Sequence, residues 1–224
     1  RLCHFESYWK EMTAKGYLTN LLHETVYPDD IFSLIKKRFP SLGLDVNDLA
    51  YTKDELQAYI KDLPPRLAMP LFKTWMNGWT TSDRMQDPDM TPCYMGCGGN
   101  DSLSHYLTCD FFWDAVADGA KMPPPPAAPL ARACLLFLSK DLALLLAIAF
   151  KVYHVLQNEH KADINAKLFL NDRDGLKELA SKAAKAAAGH LRGRMTSSSP
   201  TPAPSRTPDG AAAPPPAPAP RARD

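Results

Sequence analysis

Four side chains that can bind a metal ion lie close together in this 224-residue chain, and their spacing constrains the fold more than any other feature. Cys93, Cys97, His105 and Cys109 follow the pattern C-x3-C-x7-H-x3-C. Structural zinc sites use four tetrahedral sulfur and nitrogen ligands, and three cysteines with one histidine are a common set. The pattern therefore predicts a Zn2+ ion that joins a turn to a helix. The alternative interpretation is three reduced cysteines beside a surface histidine.

The residues around the four candidate ligands suit such a site. Glycines surround Cys97 and let the backbone turn tightly, which brings N–H groups near the thiolates. The last two ligands are four residues apart, so they share one face of a helix that begins near Ser102. Phe111, Phe112 and Trp113 follow directly, and we expect them to shield the site from water. Four protein ligands leave no position for a reactive water, so the predicted ion is structural rather than catalytic.

The chain has five cysteines, and two of them lie far from this cluster. We predict that Cys3 and Cys134 are buried apolar thiols. An odd number of cysteines with no preceding signal peptide argues against a secreted disulfide scaffold. We therefore expect an intracellular protein, nuclear or cytoplasmic, rather than a secreted one.

The sequence outside the cluster predicts a mostly α-helical fold, because no segment alternates apolar and polar residues as a strand does. Thr52 and Glu55 form a capping-box pattern at the start of one helix. An apolar residue recurs at every fourth position from Leu67 to Trp79, in a segment that Pro70 restricts to a kinked or late-starting helix. The two tryptophans of this segment could stack on nucleic-acid bases, but their helical spacing favours a place in the core. Further helices are expected at residues 3–15 and 31–39.

Proline-rich stretches divide the chain. Residues 122–129, MPPPPAAP, cannot continue a helix and form a stiff spacer. Residues 195–224 are rich in Pro, Ala and Ser and cannot bury a core. We therefore predict a helical region at 1–121 that contains a zinc knuckle at 93–109, then the linker, a helical segment at 130–194 and a disordered tail.

The segment 130–159 contains a helix that is apolar on nearly all sides. Lys140 and Asp141 interrupt it, and the uncharged run after them is much shorter than the roughly 20 residues that span a membrane. We therefore predict no membrane contact. This helix is expected either to lie in the core or to dock on a partner protein. The next segment, 175–194, has strong helix propensity but few large apolar groups, and we expect it to be exposed.

The net charge of +1 conceals two opposite halves. Residues 1–122 carry 12 basic and 17 acidic side chains, whereas residues 123–224 carry 14 basic and 8 acidic. Phosphate binding needs lysine and arginine, so RNA or DNA would contact the C-terminal half rather than the acidic knuckle. The candidate contacts for such a polyanion are Lys177, Lys182, Lys185, Arg192 and Arg194.

The stretch from about Lys73 to Val116 resembles the C-terminal region of non-LTR retrotransposon reverse transcriptases. The residues that carry the resemblance are KTWMNGWTTSDRM, followed after a short gap by CYMGCGGNDSLSHYLTCDFFW. That family places a Cys/His knuckle downstream of its polymerase core. The resemblance implies that the four candidate ligands are knuckle ligands, and that the chain is a fragment-like, nuclear accessory region of a retroelement polyprotein that acts on RNA or DNA.

No sequence motif of this chain predicts catalysis. Residues 27–30, YPDD, look like a polymerase metal-binding motif, but no strands bracket them, so we interpret them as a turn and helix cap. His154 and His160 are six residues apart on one predicted helix and point to different faces. We therefore expect no enzyme, but a zinc-stapled accessory module that assists nucleic-acid binding. The alternative is a protein-interaction scaffold that uses the apolar helix of 130–159.

Overall fold

A computed structural model of the chain describes five stretches, which are residues 31–45, 47, 49, 51–89 and 91–196. Within them the secondary structure is helical, and no strand is present. An isolated antiparallel bridge pairs Pro92 with Asn100. The predictions made for Cys3, for residues 3–15 and 27–30, and for the tail beyond residue 196 lie outside the described residues.

The connections between helices differ in length, and the one from residue 86 to residue 102 carries Cys93 and Cys97. A 3-10 turn, Phe39–Leu42, directly follows the first helix of the described residues. In chain order the helices are α1 Ile31–Arg38, α2 Lys53–Asp62, α3 Pro65–Trp75, α4 Ser82–Met85, α5 Leu103–Thr108, α6 Asp110–Ala120, α7 Pro129–Arg132, α8 Lys140–Glu159, α9 Lys161–Phe169 and α10 Arg173–Thr196.

Local sequence signals explain where several of these helices begin. The capping box predicted for α2 is present, because Thr52 Oγ1 accepts from the Glu55 N–H and the Glu55 carboxylate accepts from the Thr52 N–H. Helix α3 begins at Pro65, where the fixed φ of proline suits the first helical position. The helix continues through Pro70, so the expectation of a late start is wrong. Burial of the apolar face of α3 offsets the hydrogen bond that Pro70 cannot donate.

The apolar helix predicted within 130–159 lies in the core. Every residue of α8 from Ala143 to Ala149 is buried, and the helix packs against α3, α6 and α10. Three helices of the same chain therefore cover the apolar surface on which the prediction of a docked partner protein depends. No helix in the described part of the chain combines the length and the apolar character that crossing a membrane requires.

Helices on both sides of the proline-rich segment 122–129 share one core. Trp75 Nε1 donates a hydrogen bond of 2.8 Å to the Ala133 carbonyl, and the Tyr59 hydroxyl donates one of 2.7 Å to the Ser139 carbonyl. Helix α6 from the first region also packs along α10 from the second. The segment therefore connects two parts of one packed structure.

Helix α10 buries one face, so the expectation that residues 175–194 are exposed is wrong for that face. Alanine has too little apolar surface to signal burial by size, yet it lets helix backbones approach closely and is often buried. The polar and charged residues of the helix occupy its other face. The buried residues of α10 are Leu176, Ala180, Ala183, Ala184, Ala187, Ala188 and Leu191.

The contact between α6 and α10 is closest at Gly119. A Cβ atom there would overlap the backbone oxygen of Ser181 and lie 2.8 Å from Ala184 Cβ. On α10, Gly189 instead faces open space, where an added Cβ meets nothing within 4 Å. The two glycines therefore allow the cost of this close approach to be separated from the general effect of alanine on helix stability.

We expect Gly119→Ala to lower the free energy of unfolding by about 1–3 kcal/mol, because the added methyl group forces the two helices apart. Gly189→Ala is the matched control, and it should raise the free energy of unfolding by about 0.5–1 kcal/mol through helix propensity alone. Urea denaturation followed by circular dichroism measures both changes. Equal stabilisation by the two substitutions would contradict the close α6–α10 contact.

Candidate metal centre

The four predicted ligands come together in the structure as a group that could hold a metal ion. The donor atoms of Cys93, Cys97, His105 and Cys109 all lie within 4.8 Å of one another. The Cys97 sulfur is 3.0 Å from His105 Nε2 and 3.6 Å from the Cys109 sulfur. A tetrahedral zinc ion with bonds of about 2.3 Å to sulfur separates its sulfur ligands by about 3.8 Å. The donor set and its spacing therefore fit zinc.

The first two ligands lie on a tight turn. The Gly96 N–H donates to the Cys93 carbonyl at 2.9 Å, and the Cys93 N–H donates to the Gly99 carbonyl at 2.8 Å. Gly96 and Gly98 adopt φ values of 63° and 86°, a left-handed backbone that glycine adopts without strain. This is the turn that the glycines around the second cysteine predict.

The other two ligands lie at the two ends of α5, with His105 in its first turn and Cys109 directly after its last residue. Ser102 caps α5, and its hydroxyl accepts from the His105 N–H, so the helix begins where the sequence predicts. Cys109, however, lies between α5 and α6 with an extended backbone, so it does not share a helix face with His105 as expected. The His105 ring occupies the space that a Cβ at Gly99 would need, so a side chain at position 99 would displace the imidazole from the other three donors.

The site is covered by residues that sequence reasoning missed. Phe111 is 50% exposed, so the predicted shielding is wrong for that residue, whereas Phe112 and Trp113 are buried with their rings against Tyr106 and Arg132. Successive residues on a helix point in directions about 100° apart, so three in a row cannot all face inward. The Gly96 turn instead packs against Leu168 of α9 and Leu176 of α10. No sequence signal links these distant leucines to the cysteines.

Hydrogen bonding between the thiols shifts their proton affinities in opposite directions. The sulfur atoms of Cys93 and Cys109 are 4.0 Å apart. The hydrogen bond from the Cys93 thiol lowers the pKa of Cys109 to about 6, and the same bond together with burial raises the pKa of Cys93. Burial also raises the pKa of Cys97. Because metals bind the thiolate form, an ion at this centre would take the place of the shared protons.

A buried carboxylate, Asp101, holds the loop between the two ligand pairs. Its Oδ2 atom accepts from the Ser82 N–H at 2.8 Å, from the Thr91 hydroxyl at 3.3 Å and from the Tyr153 hydroxyl at 3.4 Å. Asp101 is only 1% exposed, and its Oδ1 atom has no hydrogen-bond partner. Burial raises the pKa of this carboxyl group, although the hydrogen bonds oppose the shift. The carboxylate therefore joins the loop between the two ligand pairs to α4 and α8.

Aromatic rings pack around this loop on the side of the core. Tyr106 of α5 lies with its ring centroid 6.0 Å from that of Trp79 and 5.2 Å from that of Tyr153. Tyr94 stacks on Tyr153 at 5.7 Å. Trp75 and Trp79 are fully buried, which confirms their predicted place in the core.

The other sequence-predicted residues do not belong to the group of four donors. The basic side chains of Lys177, Lys182, Lys185 and Arg192 are exposed on α10, and the side chain of Arg194 lies outside the described residues. Cys134 is buried, as predicted. His154 is half-buried in α8 near the Thr80 hydroxyl, whereas His160 separates α8 from α9 and pairs with Asp163 at 3.5 Å. The two histidines therefore do not form a site together.

Comparison of the chain with protein-family models, with curated proteins and with solved structures finds no match. The resemblance of residues 73–116 to reverse transcriptases therefore stays a prediction from local motifs. The described residues define a class of structure, namely a helical protein with a Cys3His group suited to one metal ion.

The metal centre predicts a stoichiometry that two cysteine variants can test. We expect the purified chain to hold one zinc per molecule, and Cys93→Ala to abolish this, because three ligands remain and one buried donor is lost. Cys134→Ala is the matched control, since it removes a buried thiol outside the group. Plasma emission spectrometry measures the zinc, and a chelator should lower the melting temperature of the native chain and of the control but not that of Cys93→Ala. Full zinc content in Cys93→Ala would contradict the site.

The raised pKa of Asp101 predicts a pH dependence. The folded chain binds a proton at this carboxyl group more tightly than the unfolded chain, so its contribution to stability is present below the unfolded pKa of about 4 and is lost as pH rises through the folded pKa. We therefore expect the stability of the native chain relative to Asp101→Asn to fall as pH rises above about 4. Urea titrations of both proteins across this range measure the difference. A difference that stays constant with pH would contradict the prediction.

Proposed function

We propose that this chain is a non-catalytic helical module that a structural zinc ion stabilises, and that it assists nucleic-acid binding within a reverse-transcriptase-like retroelement protein. The observation that carries the proposal is the convergence of three sulfur atoms and one imidazole nitrogen within 4.8 Å. The resemblance of residues 73–116 to the knuckle region of those proteins supports the assignment to nucleic acid.

The ligand set supports a structural role for the ion. Four protein ligands fill a tetrahedral zinc site, which leaves no coordination position for a substrate or an activated water. When bound, zinc would cross-link the Gly96 turn to the junction between α5 and α6. Binding free energy of this kind contributes directly to folding. Since Leu168 and Leu176 pack on the turn, the cross-link would also stabilise the position of α9 and α10.

Helix α10 is the surface best suited to phosphate. It has 24 residues and so extends over about 36 Å. Lys177, Lys182 and Lys185 are exposed on it, and the pair of Lys182 with Glu178 is itself exposed, so it restrains the lysine only weakly. The knuckle side is less suitable, since exposed Asp114 of α6 would repel phosphate there. Of the other two exposed aspartates of α6, Asp110 pairs with Arg132 and Asp118 accepts a hydrogen bond from Ser181 of α10.

A salt titration tests the nucleic-acid role. We expect a single-stranded RNA oligonucleotide to bind, with an affinity that falls as salt is raised, because the basic side chains displace counterions from the phosphates. Lys182→Gln with Lys185→Gln should weaken binding and reduce the slope of log K against log salt by about one per lysine. Fluorescence anisotropy of a labelled oligonucleotide measures both quantities.

The matched control removes two exposed lysines elsewhere, through Lys61→Gln with Lys140→Gln. This variant has the same net charge as the α10 variant, so a specific α10 surface predicts a much smaller effect. Equal losses in the two variants would show that only overall charge matters and would contradict the α10 assignment. A native chain that binds no RNA even at low salt would contradict the nucleic-acid role, without bearing on the zinc site.

A further inference from the structure

The metal centre is unequally accessible to solvent. Cys93 and Cys109 are buried, with 0% and 4% exposure, whereas Cys97 and His105 are only half-buried. Of the three sulfur ligands, the Cys97 sulfur is therefore the one that a small reagent in solution reaches first. With zinc bound, the Cys97 sulfur is a thiolate, and zinc has no redox chemistry of its own. An oxidant that enters from this side therefore takes its electrons from that sulfur.

The neighbours of Cys97 decide the outcome of such an attack. Its sulfur is 3.6 Å from the Cys109 sulfur, which is closer than the 4.0 Å between Cys93 and Cys109. Gly96 and Gly98 flank Cys97, and glycine gives the backbone freedom to close this gap to the bond length of a disulfide. Cys93 is more constrained, since its own N–H and carbonyl are both hydrogen-bonded within the turn.

We infer that the centre is a peroxide-sensitive, reversible metal-release site, in which a disulfide between Cys97 and Cys109 expels the ion. This inference rests on the proposed zinc site and adds its regulation. The reactant is a hydroperoxide, of which hydrogen peroxide is the simplest.

The chemistry needs one peroxide for each ion released. The Cys97 thiolate attacks one peroxide oxygen, the O–O bond breaks, hydroxide leaves and the sulfur becomes a sulfenic acid. The Cys109 thiolate then attacks that sulfur, so that an S–S bond forms, the S–O bond breaks and a second hydroxide leaves. Two electrons pass from two thiolates to one peroxide, and two protons from solvent convert the hydroxides to water. Only Cys93 and His105 would then remain as ligands, which is too few to hold a Zn2+ ion, and the oxidation state of the ion would not change.

The metal loss has a structural consequence at the corner between α9 and α10. The Gly96 turn packs on Leu168 and Leu176, with an added Cβ at Gly96 only 3.4 and 3.3 Å from their methyl groups. Release of the ion removes the links to Cys93 and to His105 of α5, whereas the new disulfide still ties the turn to Cys109 and draws it closer, so the fit of the turn against both leucines changes. A dithiol reductant restores the starting state, because thiol–disulfide exchange cleaves the Cys97–Cys109 bond and leaves the reductant as a disulfide, after which added zinc can be bound again with release of the thiol protons.

The test uses the full chain loaded with zinc and treated with increasing hydrogen peroxide. A zinc content near zero before oxidation would refute the proposed zinc site itself, so that failure is separate from failure of the inference. A chromogenic chelator then reports released zinc, a thiol reagent counts the remaining thiols, and mass spectrometry of alkylated peptides identifies the disulfide. Cys134→Ala is the matched control, because this buried thiol lies outside the group.

We expect one zinc released and two thiols lost for each peroxide consumed, with Cys97–Cys109 as the first disulfide and with recovery of bound zinc after reduction. Cys134→Ala should behave as the native chain does. The inference is overturned if zinc is retained while excess peroxide is consumed, if the first disulfide contains Cys3 or Cys93, or if the sulfur oxidises beyond the sulfenic acid without a disulfide. These readouts come from the native sequence, so they do not depend on a ligand variant that folds.

Discussion

The geometry that brings three sulfur atoms and one imidazole nitrogen within 4.8 Å of one another is the constraint on which the rest of this structure depends. Short-range backbone requirements account for most of it. Gly96 and Gly98 turn the chain between the first two ligands, and the Ser102 cap sets where α5 begins and therefore where His105 lies. The imidazole ring occupies the space beside Gly99, so a side chain there would displace this ligand.

The ligand loops are joined to the core by two buried charged groups. Asp101 binds the loop between the ligand pairs to α4 and α8. Arg132 of α7 contacts the chain on both sides of Cys109, because it donates to the Leu107 carbonyl at 3.2 Å and forms an ion pair with Asp110. Burying a charge without partners is costly, so these contacts hold the loops in one arrangement. Arg132 lies beyond the proline-rich segment, so residues on both sides of that segment contact the ligand loops.

Helix α10 links the metal centre to the surface proposed for nucleic acid. Its alanine face packs on α6 and α8, and Leu176 near its start covers the Gly96 turn. Lys177, Lys182 and Lys185 lie on the side that is left exposed. A change at the metal centre therefore has a direct route, through packed side chains, to the helix that carries the proposed phosphate contacts. Metal content and RNA binding are thus expected to be related properties of one module.

The sequence by itself determined what depends on neighbouring residues. The convergence of the four candidate ligands, the glycine turn, the start of α5 and the Thr52 capping box involve side chains and backbone close together in the sequence, and the structure has each of them. The predictions that failed concerned orientation, as for exposed Phe111 and for Cys109 beyond the end of α5. Only the tertiary structure decided that one face of an alanine-rich helix is buried and that Leu168 and Leu176 cover the Gly96 turn. It also decided that Asp101 accepts a hydrogen bond from the Tyr153 hydroxyl. These contacts join residues far apart in the chain, and their fit depends on the shapes of packed helices, which no local pattern specifies.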